Sequence, residues 1–190
     1  DLDFIQPLNA SQAPLEQDQK LILESTLRFL GQERDGEGPA CVQFVGNNTE
    51  EMKGFACQIA QDRGEQAFLV SIDHLPAEPD AQSVLLRRWT RMQRLTQALL
   101  VVDLADFELA SGAEAALLKK KLDFIRVLEG GLIVLSVVKH ALPIQTSLAF
   151  DYPSPSNQSL KEFWLEALNQ DEDQQDEDQQ DPKRQQGHTE

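Results

Sequence analysis

The sequence predicts an α/β domain built on a five-stranded parallel sheet with helices on both faces. Five short apolar runs alternate with segments of helical periodicity, which is the order expected of βα units. The apolar content of each run is continuous rather than alternating, as in strands that are covered on both faces. These runs, and hence the predicted strands, are residues 40–45, 67–71, 98–103, 132–136 and 147–152.

Helical patterns fill the segments around these strands. A first helix over residues 15–30 precedes the first strand, and a turn-rich loop over residues 31–39 joins the two. Helices over residues 50–61, 85–95 and 113–128 follow the first, second and third strands. Each of these strands therefore opens a βα unit, and we expect the crossover connections to be right-handed.

Irregular segments flank the predicted domain, which spans residues 15–169. Residues 1–14 contain Pro7 and Pro14 and little periodicity, so we expect an irregular arm. Residues 170–190 contain the sequence DEDQQ twice and almost nothing apolar. Such a segment cannot offset its ordering entropy, so we expect an acidic, disordered tail or interdomain linker whose removal barely changes stability.

Composition excludes several classes of partner. The formal net charge of −15 disfavours nucleic acid, because binding a polyanion requires clustered Lys and Arg. No apolar run approaches the roughly 20 residues that span a bilayer. The first residues also lack the basic segment of a secretory signal. We therefore expect a cytoplasmic protein without a membrane partner, and the missing initiator Met suggests a segment of a longer protein.

The cysteines and histidines have no metal-ligand spacing. Cys41 and Cys57 lie inside a predicted strand and a predicted helix, which favours buried, reduced thiols over a disulfide. His74, His140 and His188 are far apart in the sequence. The sequence therefore predicts no metal site.

The turn after the first strand is where a phosphate-binding loop would lie, because backbone N–H groups and a helix N-terminus face an anion there. Compared with G-x-x-x-x-G-K-[ST], Gly46 fits the first position. The second Gly, the Lys and the Ser or Thr are replaced by Glu51, Met52 and Lys53. Three of the four requirements fail, and Glu50 and Glu51 place two negative charges beside the site of a polyphosphate.

Two other interpretations of this turn stay open. Shifting the register so that Lys53 becomes the phosphate-binding lysine puts Asn47 and Met52 at the glycine positions, which fits no better. Alternatively the turn is purely structural, with Asn47, Asn48 and Thr49 forming a turn and a helix N-cap, and the two acids of the first turn are favoured by the helix dipole. The sequence favours the structural interpretation over ATP binding.

The ends of two later strands carry the remaining candidate residues. The third strand ends in Asp103, where an aspartate would hold Mg²⁺ through water, but Leu104 follows instead of the glutamate that polarises the attacking water. The fourth strand ends in Ser136, and the loop over residues 137–146 contains no Arg that would serve as a finger for a neighbouring subunit. Hydrolysis therefore lacks its base.

The ordered set of these features resembles the AAA-type ATPases, especially the first ATPase-like module of bacterial two-module AAA proteins. The resemblance covers about residues 20–168. It depends on the strand before Gly46, on LLVVD at 99–103 and GLIVLS at 131–136, and on FDYPSP at 150–155 leading into residues 160–168. The last piece is similar to the family's final strand, Pro-containing turn and first lid helix.

The resemblance implies a P-loop fold and a nucleotide site made of Gly46, Asn48, Lys53, Asp103 and Ser136. Gly46 would be the remaining P-loop glycine, Asp103 the metal-side aspartate and Ser136 the sensor. The sequence departs from the family by lacking the Gly-Lys-Thr, the catalytic glutamate, the finger and most of the lid. Family members with such losses commonly act in assembly or partner recruitment.

A basic stripe distinguishes the helix after the second strand, which carries Arg87, Arg88, Arg91 and Arg94. Three of these, at 87, 91 and 94, fall within about 60° of one another around a helix. The stripe is either a solvated helix face or a surface that binds an acidic protein partner.

Together these observations predict a non-catalytic module that acts in protein–protein interaction or assembly, without a cofactor. Its partner would be another protein or a neighbouring subunit, in a homo- or hetero-oligomer. The alternative is a regulatory domain that binds ATP or ADP, with Mg²⁺, or an ATPase subunit completed by its partner. An enzyme of unrelated chemistry on the same sheet is a third possibility.

Overall fold

The computed structural model describes residues 5–9, 15–32, 38–104 and 113–153. They form a mixed α/β structure with six strands and four α-helices. In chain order the elements are β1 (Gln6–Pro7), α1 (Gln17–Leu30), β2 (Ala40–Val45), α2 (Thr49–Asp62), β3 (Gln66–Ser71), α3 (Pro79–Thr96), β4 (Ala98–Asp103), α4 (Ala113–Ile125), β5 (Gly131–Ser136) and β6 (Ser147–Asp151).

The strand order of the sheet is β1-β3-β4-β5-β2-β6. Strands β2 to β6 correspond to the five predicted runs, and the pairings among these five strands are parallel. The prediction of a five-stranded, wholly parallel sheet is nevertheless wrong, because β1 pairs antiparallel with β3 and makes a sixth strand. The α/β class that the sequence predicts, with helices on both faces of the sheet, is confirmed.

The extra strand lies in the segment for which we expected an irregular arm. Only Gln6 and Pro7 pair with β3, and the N–H of Leu8 donates to the carbonyl of Ala67 at 3.0 Å. A two-residue strand containing Pro has no sequence signature, and Pro is tolerated because this strand lies at an edge. Ile5 and Leu8 pack against the cores on opposite faces of the sheet, and this packing fixes the segment.

Each face of the sheet carries its own apolar core. On one face, α1 and α2 cover side chains such as Phe44, Val101 and Leu135. On the other face, α3 and α4 cover side chains such as Val102 and Val134. Successive side chains of a strand thus pack into opposite cores, which explains why the strands are mostly apolar along their length.

The topology brings the carboxyl ends of three strands together. Strand β2 lies between β5 and β6, so the connection from β2 to β3 crosses two strands and the connection from β5 to β6 passes over β2. Val45 pairs with Ser136, and Asp103 pairs with Leu135. Ligands of open α/β sheets bind at such carboxyl ends, near the point where the strand order reverses.

The helix boundaries differ from the predicted ones mainly in α3. This helix begins at Pro79, six residues before the predicted start at Leu85, and Pro occupies its first turn. Pro is favoured there because an N–H group in the first turn makes no hydrogen bond within the helix, so the N–H that Pro lacks costs nothing. The helix ends at Thr96 and is followed by its C-cap residue Gln97, whose φ of 49° is left-handed.

Some predictions fall outside the described residues. These are the acidic tail over residues 170–190, the helix over residues 160–168 and the end of the Pro-containing turn at residues 154–155. Among the helices that the structure does describe, none is long and apolar enough to cross a membrane.

Candidate functional site

Gly46 begins the turn between β2 and α2, where the sequence predicts the remaining P-loop glycine. Its N–H donates to the carbonyl of Ser136 at 2.9 Å, which fixes the turn to the end of β5. A Cβ at this position would lie 3.2 Å from Cβ of Tyr152 and 3.4 Å from the carbonyl oxygen of Tyr152. A larger residue here would therefore crowd Tyr152, so the packing of Tyr152 favours glycine without any phosphate.

Asn48 is the N-cap of α2. Its side-chain oxygen accepts from the N–H of Glu51 at 3.2 Å, and its Nδ2 donates to Oε2 of Glu51 at 2.9 Å. The two residues thus hydrogen-bond to each other at the start of the helix, where N–H groups otherwise lack partners. This geometry is the structural role that the sequence favours for Asn48.

The carboxylate of Glu51 lies at the N-terminus of α2, where a phosphate would bind in a P-loop. Its Oε1 accepts from Nε2 of Gln19 at 2.9 Å, and the same nitrogen donates to the hydroxyl of Tyr152 at 2.8 Å. Gln19 belongs to α1 and is buried, so α1 covers this turn. Burial, together with the charge of Glu51, raises the pKa of Tyr152.

Lys53 lies two residues further along α2 and contacts two carboxylates. Its Nζ is 2.8 Å from Oε1 of Glu50 and 3.2 Å from Oδ2 of Asp103. The side chains of Lys53 and Asp103 are only 19% and 13% exposed. Burial alone would lower the pKa of Lys53, but the hydrogen bonds and charges of Glu50 and Asp103 outweigh it and raise the pKa. Lys53 is thus the cation next to Asp103.

Ser136, at the predicted sensor position, is fully buried. The side-chain amide of Gln43 lies next to it, and one assignment of its oxygen and nitrogen allows both atoms to make hydrogen bonds. In that orientation its oxygen accepts from the Ser136 hydroxyl and from the His140 N–H, both at 3.0 Å, and its nitrogen donates to the His140 carbonyl at 3.2 Å. The hydroxyl of Ser136 therefore links β5 to β2 within the protein interior. Burial lowers the pKa of His140.

Leu104, at the position where the resemblance would place a catalytic glutamate, is also buried. Its side chain packs in the core between the sheet and the helices α3 and α4, and its N–H donates to the carbonyl of Leu135 at 2.8 Å. The position that would polarise an attacking water is therefore part of the core and carries no base.

The structure brings together one of the two predicted sets of site residues at the carboxyl edge of the sheet. This set consists of Gly46, Asn48, Lys53, Asp103 and Ser136. The second predicted set, the four arginines of α3, lies apart from this edge, because α3 packs on the opposite face of the sheet from α2. Arg87, Arg88, Arg91 and Arg94 are all exposed on that helix.

Several residues of this site were not found from the sequence. Gln19, Gln43 and Tyr152 form the buried hydrogen bonds that hold the turn and the strand ends. A signal exists for two of them. Gln19 is a polar residue on the inward face of an amphipathic helix, and Gln43 interrupts an apolar strand. A buried amide requires partners, so both positions indicate internal hydrogen bonds.

The residues present do not fit a bound Mg²⁺ and nucleotide. The Glu51 carboxylate already lies at the helix N-terminus, and the ammonium of Lys53 already neutralises the carboxylate of Asp103. Met52, at the position of the phosphate-binding lysine, is fully buried in the core. Among the described residues, no group of three or more His, Cys, Asp or Glu side chains is arranged to hold a metal ion.

Two surface cavities, of about 650 and 600 Å³, lie at the other edge of the sheet. Both are lined by Gly38 and Gly130, next to the amino ends of β2 and β5. Ligands of open α/β sheets bind at the carboxyl ends instead. These cavities therefore do not compete with the carboxyl edge as the candidate nucleotide site.

Comparison with known proteins assigns no family. No protein-family model matches the chain, and no curated protein matches it. The solved structure of C. elegans PCH-2 is similar at a TM-score of 0.47 and 10% sequence identity, over 79% of this chain and 48% of that one. The chain thus spans about half the length of that structure. A likeness of this degree has no bearing on function.

Proposed function

We propose that this chain is an AAA-like module that does not turn over nucleotide and acts in protein–protein interaction or assembly. One observation carries the proposal: the charges at the candidate nucleotide site are paired within the chain. Lys53 contacts Glu50 and Asp103, and Glu51 accepts hydrogen bonds from Asn48 and Gln19.

Electrostatics explains why this pairing opposes nucleotide binding. A phosphate at the start of α2 would meet the carboxylate of Glu51, and two unit charges 4 Å apart repel by about 4 kcal/mol at an effective dielectric of 20. A Mg²⁺ ion beside Asp103 would have to displace the ammonium of Lys53. Turnover would in addition need a base, and Leu104 offers none.

The exposed arginines of α3 support the second half of the proposal. Interfaces are enriched in Arg, and concentrated positive charge on an acidic chain attracts acidic protein surfaces. We therefore assign to Arg87, Arg88, Arg91 and Arg94 the contact with a partner protein or a neighbouring subunit.

Titration of the purified chain with a fluorescent ATP analogue, with and without Mg²⁺, tests the first half. We expect no saturable binding up to about 1 mM, which corresponds to a binding free energy weaker than about −4 kcal/mol. Binding that is tighter with Mg²⁺ and is lost in Asp103→Asn would support the alternative, a regulatory domain for ATP or ADP.

A steady-state phosphate-release assay on the same protein tests catalysis. We expect no release above background, because the phosphate-binding lysine and the catalytic glutamate are replaced by the buried Met52 and Leu104. Activity that Asp103→Ala abolishes, in a preparation free of contaminating ATPase, would overturn the proposal.

A further inference from the structure

The outer side of α3 combines exposed apolar and basic residues in one line. Leu85 and Trp89 point into the core, and the opposite side of the helix faces solvent. At about 100° per residue, Val84, Arg88, Arg91 and Leu95 fall within about 60° of one another. Val84 is 40% exposed and Leu95 is 74% exposed. The line therefore begins and ends in an exposed apolar side chain, about 16 Å apart along the helix.

Charge is concentrated on this helix. It carries four arginines and a single acid, Asp80, within a chain whose formal net charge is −15. The neighbouring Glu129 lies 3.5 Å from Arg94, but these side chains are 56% and 71% exposed, so the pair is screened by solvent. We call Val84, Arg87, Arg88, Arg91, Arg94 and Leu95 the basic face of α3.

The chemistry of the basic face favours a protein over a nucleic acid. Arginine binds carboxylates in a two-pronged geometry and is enriched among the residues that contribute most of the binding energy at protein interfaces. Phosphate backbones offer nothing to bury against Val84 and Leu95. The net charge of −15 would also repel a nucleic acid, with one negative charge per phosphate along its length, more than a short helix with a few carboxylates.

A second copy of the same face is also disfavoured as the occupant. Packing α3 against α3 around a twofold axis would place one row of arginines on another. Like charges in contact across an interface are repulsive, so the complementary surface must be acidic.

We propose that the basic face of α3 docks an acidic amphipathic helix of a partner protein. The partner helix would carry carboxylates in its central turns and an apolar residue at each end, eleven positions apart, to match Val84 and Leu95. This inference depends on the proposed interaction function and specifies the chemistry of the partner.

A synthetic probe tests this match. The probe is an 18-residue, Ala-rich helical peptide with Glu in its central turns and two Leu residues eleven positions apart, and its control peptide has Gln in place of each Glu. Binding to the full chain is measured by fluorescence anisotropy at low and moderate salt. We expect saturable binding of the Glu peptide, weakened by salt, and at least about tenfold weaker binding of the Gln peptide.

Matched variants locate the contact. Arg87→Glu with Arg91→Glu should weaken binding at least about tenfold, and Leu95→Ser should weaken it about threefold. Lys119→Glu with Lys120→Glu makes the same charge change on exposed positions of α4 and should leave binding within about twofold. Circular dichroism and thermal unfolding verify that every variant is folded.

Four results would overturn the docking inference: equal binding of both peptides, equal weakening by the α4 control, tighter binding of a nucleic acid of equal charge, or self-association that the arginine reversal abolishes. Phosphate release measured on the same preparations separates this failure from failure of the proposed function. If no ATPase activity is found, failure of the peptide to bind rejects only the proposed acidic helix as the partner. ATP turnover would instead reject the proposed function itself.

Discussion

The ion pair between Lys53 and Asp103 gives the sharpest test of how the carboxyl edge is stabilised. We consider Lys53→Met, Asp103→Asn and the double variant, which together isolate the energy of the pair from the other contacts of each residue. Arg94 and Glu129 supply a control pair in the same chain, because they lie 3.5 Å apart but are 71% and 56% exposed. The same cycle is measured with Arg94→Met and Glu129→Gln.

The expected coupling follows from distance and burial. The atoms Nζ of Lys53 and Oδ2 of Asp103 are 3.2 Å apart, and the side chains are 19% and 13% exposed. Unit charges at about 4 Å interact by about 4 kcal/mol at an effective dielectric of 20, and desolvation offsets part of this gain. We expect a coupling of about 1 to 2 kcal/mol, compared with at most about 0.5 kcal/mol for the exposed control.

Lys53→Met alone should be the most destabilising of the three variants, because it leaves Asp103 as a largely buried carboxylate without this cation. Urea unfolding at pH 7, followed by circular dichroism, gives the free energies of unfolding. Raising the salt concentration should reduce the coupling of the exposed pair more than that of Lys53 and Asp103. A coupling for Lys53 and Asp103 no larger than that of the control pair would refute the argument.

Two further predictions concern buried groups. Burial raises the pKa of Cys41 from 9.0 to about 12, so the unfolded chain loses this proton first, and the stabilising contribution present below pH 9 is lost as pH rises towards 12. Urea unfolding should therefore show that the free energy of unfolding falls between pH 8 and pH 10 by about 1 kcal/mol less in Cys41→Ala than in the unchanged chain. Equal losses in the two proteins would contradict the assignment. Ser136→Ala should lower the free energy of unfolding by about 1 to 2 kcal/mol, because Gln43 loses a buried partner. The same ATP-analogue titration should not change in this variant, and an altered response would mean that Ser136 contacts nucleotide.

The sequence predicted the five parallel strands because each is a largely continuous apolar run, which is typical of strands covered on both faces. It did not predict β1, since a pair of residues such as Gln6 and Pro7 has no periodicity to detect. The early start of α3 was missed for a related reason. Its first turns contain few apolar residues, and the pattern becomes amphipathic only towards Leu85.

The sequence predicted where the candidate site residues lie, but it did not predict their hydrogen-bond and ion-pair partners. Parallel strand order places Asp103 and Ser136 at one edge, so their proximity to Gly46 follows from the topology. The partners of these residues depend on side-chain geometry between elements distant in sequence. Gln19 and Tyr152, for example, are separated by 133 positions, and no local pattern indicates their hydrogen bond.

Under the proposed function, Glu51 and Lys53 also contribute to the stability of the turn. A P-loop module that depends on its ligand gains stability from it, about 2.7 kcal/mol when the ligand is at 100 times its dissociation constant. In this chain Glu51 supplies a negative charge at the N-terminus of α2, and Lys53 supplies a positive charge beside Asp103. These are the signs of charge that phosphate and metal would otherwise bring. The carboxyl edge is therefore electrostatically satisfied without a ligand, so its stability should not depend on nucleotide concentration.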